Sequence, residues 1–191
     1  MWGMMLSVGG SPGYPWGGAQ TLLREITPRA DGRLGVAPAA EVEALRGKHW
    51  HFQDVAVEGP GTPLPESVAG ECLELGLRID PANAAEIGVD VRCTPGGNAC
   101  VPIRYNKAEG IFSMGERKAS FALLPDERTL DLRIFLDRRI IEVYINGRET
   151  MTGQTSLGGD ALGIRLFSDG GAAKAKRLDI WEMGTIWEND V

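Results

Sequence analysis

The sequence predicts an all-β fold, a two-sheet antiparallel β-sandwich, and three observations predict it. From about residue 48 onward apolar and polar residues alternate with a period of two, which puts successive side chains on opposite faces of a strand. The turn signals GPGTPLPE, DPAN, TPGGN, NKAEG, LPDE, INGRE and SDGG cut that alternation into short segments. The 26 glycines and 11 prolines favour turns over long helices. Short strands with one apolar face each need a second layer to bury it, so the expected arrangement is jelly-roll or concanavalin-like.

Taken in order, residues 2–8 and 20–27 are two possible strands joined by the Gly/Pro-rich SVGGSPGYPWGG. AAEVEALRG predicts a helical turn over 39–46 with Gly47 as its C-cap. Strands follow at 49–57, 72–79, 85–92, 101–105, 110–114, 118–123, 130–136, 140–146, 163–167 and 175–181. Residues 1–47 thus form a hairpin and linker, and 48–191 the sandwich. A two-stranded piece buries no core of its own. It must lean on the sandwich, on another subunit or on something missing, and a homo-oligomer formed through the N-terminal segment is expected.

A net charge of −6 argues against a nucleic-acid partner, because attraction to phosphates needs a basic surface. No apolar run approaches the roughly 18–20 residues that span a bilayer, so no membrane partner is expected. The start, MWGMMLSVGGSPG, has no basic n-region and is broken by Gly9, Gly10 and Pro12, so a cytoplasmic location is expected. Cys93 and Cys100 flank TPGGNA and can face each other across a hairpin; a reduced pair is the expectation, with Cys72 left over. Phosphate-loop and dinucleotide fingerprints are absent, and no cofactor is expected.

The stretch LRIFLDRRIIEVYING (132–147) sets its own register. Pairing Leu136 with Ile141, Ile134 with Val143 and Leu132 with Ile145 makes one face wholly aliphatic. The other face carries Arg133, Phe135 and Asp137 against Ile140, Glu142, Tyr144 and Asn146. It is expected to be a solvated or interfacial ion-pair face. Arg138 and Arg139 suit a two-residue type I′ turn poorly, because both positions need positive φ, so a four-residue type I loop is expected. Asp137 and Glu142 lie diagonally across the two strands, roughly 7–8 Å apart between backbones, a separation that glycosidase pairs also use. A general acid needs burial in an apolar cleft, whereas the arginines here favour ionised carboxylates. Asp137, Glu142 and Glu71 are therefore the catalytic candidates of a minor reading. Arg133, Phe135, Glu142, Tyr144 and Asn146 are candidates for contact with a sugar, through aromatic ring faces flanked by hydrogen-bonding groups. The alternative is that they pack against the N-terminal segment or a partner.

LRIFLDRRIIEVYINGRETMT (132–152) resembles the signature hairpin of the C-terminal β-sandwich of glycoside hydrolase family 32, the invertases, levanases, inulinases and related β-fructosidases. The match runs through Leu132, Phe135, Asp137, Arg138, Glu142, Val143, Tyr144, Asn146, Met151 and Thr152, while Arg139 departs from the small residue usual there. ECLELGLRID, IRYNKAEGIFSM and GIRLFSDGGAAKAKRLDIWEMGTIW are similar to further strands of that module. WGGAQTLLREITPRADGRLGVAPAAEVEALRG (16–47) is similar to the segment leaving the family's catalytic propeller. Trp16, Arg24, Glu25 and residues 31–34 match, with Leu23 in place of a proline. MWGMMLSV resembles the strand before it. The resemblance implies that 1–47 is a remnant of the last propeller blade plus linker helix, and that almost the entire catalytic domain is missing.

In the family, the resemblance implies, the nucleophile lies in Asn-Asp-Pro-Asn-Gly, transition-state support in Arg-Asp-Pro, and the acid/base in Glu-Cys-Pro. None of these motifs occurs in this sequence. Glu71-Cys72 echoes the last, but Leu73 replaces the proline, and END at 188–190 lacks the Pro-Asn-Gly that shapes the nucleophile loop. The expectation is a non-catalytic accessory module that binds an oligo- or polysaccharide such as a fructan, or serves assembly. The alternatives are a hydrolase with a relocated carboxylate site, and a structural homo-oligomerising sandwich.

KHWHF puts His49 and His51 on one strand face, a spacing that can chelate a metal. The sequence places no third ligand near them, so ordinary polar-face histidines and no metal are expected. Trp2, Trp16, Trp50, Trp181 and Trp187 are many tryptophans for the length.

Overall fold

A computed structural model of the chain describes residues 1, 3–6, 18–59 and 61–186. In chain order its strands are β1 (Met4–Leu6), β2 (Gly18–Gln20), β3 (Arg24–Pro28), β4 (Leu34–Pro38), β5 (Arg46–Val57), β6 (Thr62–Pro63), β7 (Cys72–Asp80) and β8 (Glu86–Cys93). They continue with β9 (Val101–Asn106), β10 (Ile111–Met114), β11 (Arg117–Ser120), β12 (Leu130–Asp137), β13 (Ile140–Ile145), β14 (Glu149–Gln154), β15 (Gly163–Asp169) and β16 (Ala173–Met183). Two six-stranded antiparallel sheets run β11-β10-β9-β8-β15-β6 and β14-β13-β12-β7-β16-β5. Two hairpins, β1-β2 and β3-β4, precede them.

Each long strand gives one face to the space between the sheets. From the second sheet come Leu73, Leu75, Leu77 and Ile79 of β7, Leu130, Leu132, Ile134 and Leu136 of β12, Ile141, Val143 and Ile145 of β13, and Leu178 and Ile180 of β16. Ile87, Val89 and Val91 of β8, with Ile103, Phe112 and Leu166, face them from the first sheet. The Cβ-bearing alternation is thus the fold's main instruction, since a one-residue slip would send every one of these side chains to the wrong face. Gly88 of β8 is needed for a closer reason: a Cβ there would lie 1.9 Å from the Ile103 carbonyl oxygen.

The hairpin register is the one read from its aliphatic face, with Leu132 opposite Ile145, Ile134 opposite Val143 and Leu136 opposite Ile141. Its loop differs from expectation. Pairing continues to Asp137 and Ile140, so only Arg138 and Arg139 turn the chain, and Arg138 takes φ 51°. Positive φ at one residue suffices, and the Arg138 N–H is anchored by the Glu71 carbonyl at 2.9 Å.

Other expectations are corrected. Residues 40–45 form a 3₁₀ helix, and Gly47 is no cap: Arg46 is already extended and opens β5. The 20–27 segment divides between β2 and β3, and the latter pairs with an unforeseen β4, Ile26 opposite Val36. Strand β14 was also unforeseen. The strand expected at 118–123 ends at Ser120, and β6 lies within the expected turn GPGTPLPE. Cys93 and Cys100 are joined in a disulfide rather than reduced, closing the connection between β8 and β9. Trp2, Trp16, Trp187, residues 7–8 of the first expected strand and residues 188–190 lie outside the described residues.

Candidate functional site: a charged face that seats the N-terminal segment

The outer face of the second sheet is the chemically distinctive surface. Strand pairing lines its side chains up in two rows across the sheet. One runs Thr152, Glu142, Phe135, Glu74, Trp181, His49 from β14 to β5; the next runs Thr150, Tyr144, Arg133, Gly76, Asp179, His51. Most strands here would be expected to turn polar residues to water. Instead Glu142, Tyr144 and Phe135 are 3%, 3% and 6% exposed, and Glu74 is fully buried.

What covers them is the chain before the sandwich. Arg24 of β3 reaches over β13 and β14, its guanidinium meeting Glu142 at 3.0 Å, Thr152 at 2.8 Å and Thr150 at 3.1 Å. The second Glu142 oxygen accepts the Leu22 backbone N–H at 2.6 Å. Val36 of β4 donates its N–H to the Gly147 carbonyl at 2.9 Å. Burial depresses the Arg24 guanidinium pKa, but its hydrogen bond with Glu142, together with its interaction with Tyr144, outweighs that and holds it above the usual value. Burial, then the charge of Glu142, pushes the Tyr144 hydroxyl up, so the phenol stays neutral.

A second ionic knot ties the linker to the centre of the sheet. Arg46 grips Glu74 with two bonds, at 2.8 and 2.7 Å, Arg133 hydrogen-bonds the same carboxylate, and Glu43 of the 3₁₀ helix pairs with both arginines at 3.1 and 3.3 Å. Arg46 also lies 4.0 Å from the centre of the Trp181 ring. A buried carboxylate without cations would be costly, so these arginines are required wherever the glutamates are.

Toward β5 the face is open. Asp179 is 3% exposed and its Oδ1 lies 2.9 Å from His49 Nε2 and 2.8 Å from His51 Nδ1, while Arg177 hydrogen-bonds Oδ2. Burial pushes the Asp179 carboxyl up, but the hydrogen bonds from Arg177, His51 and His49 outweigh it and hold it below the usual carboxylate range. His49 stacks on Trp181 at 4.7 Å with the rings 4° from parallel.

The structure separates the catalytic candidates. Glu142 is buried under Arg24, whereas Asp137 is exposed at the hairpin turn beside the Cys72 thiol, and Glu71 is exposed with its carbonyl on Arg138. The sugar-contact candidates Arg133, Phe135, Glu142 and Tyr144 are brought together, but under the N-terminal segment. Asn146 instead serves its own turn, at φ 47°, accepting the Asp131 N–H and donating to the Thr129 carbonyl. A cavity of about 180 Å³ between β4 and the hairpin, lined by Val36, Pro38, Leu132, Arg133 and Tyr144, falls below the roughly 300–1,000 Å³ of ligand sites. Arg24, Arg46, Glu74 and Asp179 have no role assigned by sequence pattern alone. The available signal was a lone charge in an aliphatic strand, in CLELGL and RLDIW, which demands a partner.

The comparisons with known proteins agree with this architecture. Residues 41–182 match the family described as "Glycosyl hydrolases family 32 C terminal". Raffinose invertase of Escherichia coli is 32% identical over 179 residues, covering 90% of this chain and 35% of that protein. Levanase of Bacillus subtilis (strain 168) is 25% identical over 198 residues, covering 92% of this chain and 29% of its own length. The crystal structure of exo-inulinase from Aspergillus awamori superposes with a TM-score of 0.76 at 22% identity, over 93% of this chain and 38% of that one. The chain thus spans about a third of the length of the relatives it matches. With the sandwich, the hairpin register and this match in hand, the chain belongs to glycosyl hydrolase family 32, through that family's C-terminal module.

Proposed function

We propose that this chain is a non-catalytic accessory module of a β-fructosidase-type protein, and that its task is assembly: the outer face of the second sheet seats the polypeptide that leads into the sandwich. The observation that carries this reading is Glu142, a buried carboxylate whose two oxygens are taken by the Leu22 N–H and the Arg24 guanidinium. A carboxylate used in this way is a structural clasp. It is not free to donate a proton to a glycosidic oxygen, and Tyr144 and Phe135 beside it offer no exposed ring face for a sugar. The relatives are named levanase and raffinose invertase, which supports β-fructosides as the substrate class of a protein that contains this module.

The test uses the purified chain with sucrose, levan and inulin. No hydrolysis is expected, and calorimetric titration with fructans should give no saturable heat that changes on Tyr144→Ala. Hydrolysis abolished by a substitution at Asp137, Glu142 or Glu71 would overturn the reading in favour of a relocated catalytic site. Saturable fructan binding lost in the Tyr144 variant would turn it toward carbohydrate recognition. Sedimentation of the same sample reports whether the N-terminal segment clasps its own sandwich or exchanges with a second copy, giving a homo-oligomer.

A further inference from the structure

We propose that His49, His51 and Asp179 form a binding site for one divalent transition-metal ion of the zinc class. The three candidate donor atoms, His49 Nε2, His51 Nδ1 and one Asp179 oxygen, all lie within 4.8 Å of one another. They come from two adjacent strands, with His51 directly opposite Asp179 and His49 one step further along the same face, opposite Trp181.

The choice of ring nitrogens follows from that placement. His51, opposite the carboxylate, presents its near nitrogen Nδ1; His49, on the diagonal, reaches the same oxygen with its far nitrogen Nε2. The two rings therefore converge on one point although their centres are 6.2 Å apart. Zinc bonds of about 2.0–2.2 Å at tetrahedral angles set donor spacings of roughly 3.3–3.5 Å. The present contacts of 2.8 and 2.9 Å need to open by about half an ångström, and the two ring nitrogens, within 4.8 Å of each other, need to reach the same spacing, which exposed imidazoles achieve by ring rotation.

The surroundings fit a metal site in other respects. Both histidine side chains are 42% exposed on the edge strand β5, so the remaining coordination positions face water. Trp181 stacks on His49 and restricts its ring. Arg177 holds the other Asp179 oxygen, orienting the carboxylate for single-oxygen coordination as outer-shell partners do. Its positive charge opposes the ion, as does that of nearby Arg46, so the affinity expected is micromolar rather than that of a structural zinc. Two imidazoles with one carboxylate select borderline ions such as Zn²⁺, Ni²⁺ or Cu²⁺ over the all-oxygen ions Mg²⁺ and Ca²⁺. On binding, the ring proton of each neutral histidine resides on its other nitrogen, Nδ1 of His49 and Nε2 of His51, leaving the donor lone pairs to the metal.

The test is calorimetric titration of the untagged, chelator-stripped chain with ZnCl₂, in a Cys72→Ser background that removes the free thiol. One equivalent of Zn²⁺ should bind at micromolar concentration, while MgCl₂ should give no heat. His49→Gln and His51→Gln keep a hydrogen bond to Asp179 and should weaken Zn²⁺ at least about tenfold, as should Asp179→Asn. X-ray absorption at the zinc edge on the unmutated chain, which needs no variant to fold, should show two imidazole ligands and no sulfur. Absence of saturable binding, affinity unchanged in both histidine variants, or a sulfur ligand would each overturn the proposal.

Discussion

Arg24 and Glu142, 118 residues apart in the chain, meet at 3.0 Å beneath a surface that leaves the carboxylate 3% exposed. The pair converts a strand face into a docking site for the segment before it. Removing the cation alone should be worse than removing both charges, because it strands a buried anion. We predict that Arg24→Ala costs about 3 kcal/mol, a fall in Tm of roughly 6–12 °C for a chain of this size. Arg24→Ala/Glu142→Gln should recover part of the loss in a double-mutant cycle, and strictly additive losses would show that the pair is uncoupled. Limited proteolysis should cut the single variant within residues 18–45 first.

Glu74 is the deepest charge of the face, gripped by Arg46 and Arg133. Glu74→Gln keeps the shape but leaves two guanidiniums short of their anion, at an expected cost of about 3 kcal/mol. Chemical denaturation should show a lower midpoint with an unchanged slope, since the surface exposed on unfolding stays the same. A variant as stable as the parent would mean that the amide oxygen serves the two guanidiniums as well as the carboxylate does.

The Glu127 carboxylate accepts bonds from Arg148 at 2.9 Å and the Leu124 N–H at 2.8 Å. Burial pushes its pKa up, but those bonds outweigh it and hold it below the usual glutamate value of 4.5. A depressed folded-state pKa means stability that is present above the unfolded value and lost as pH falls through the folded one. Glu127→Gln should therefore be less stable than the parent at pH 7 by about 1–2 kcal/mol, with the gap narrowing below pH about 4. Thermal unfolding from pH 7 to pH 3 checks this, and a gap constant across that range would refute it.

The Cys93–Cys100 disulfide closes a short loop, with a sequence separation of 7. Chain entropy assigns a loop of that size about 2–2.5 kcal/mol. Reductant and Cys100→Ser should lower Tm to the same extent, and thiol titration of the unfolded, unreduced chain should find one thiol, Cys72. Three reactive thiols in the freshly purified chain would show that the pair is reduced.

How far the sequence reveals this molecule depends on the range of each interaction. The β12–β13 hairpin was legible because its aliphatic face, Leu132 to Ile145, leaves one register that buries it. The sandwich class and ten of its strands followed from the same alternation. Strand β14 was hidden because ETMTGQ has no apolar period: Thr150 and Thr152 turn to Arg24, and only Met151 packs on the core. The positive φ of Arg138 is imposed by the strands around it rather than by its own preference. The histidines were seen, but their third partner was not, since Asp179 reaches them only when β16 lies against β5, 128 to 130 residues away. Local pattern shows which faces are buried; it does not show which distant charges those faces bring together.

The clasp between Arg24 and Glu142 also sets an order in time. At synthesis rates of about 5–20 residues per second, the 118 residues between them take roughly 6–24 s to make. Throughout that interval Arg24 and Leu22 have been made but have no carboxylate to meet, while β7, at the centre of its sheet, gains β12 only near the end of the interval and β16 after it. Residues 22–24 are thus made long before the carboxylate that fastens them, and β5 waits longer still, for β16. A nascent chain stalled before Glu142 should leave them open to proteases and chaperones, however well the sandwich behind them is encoded.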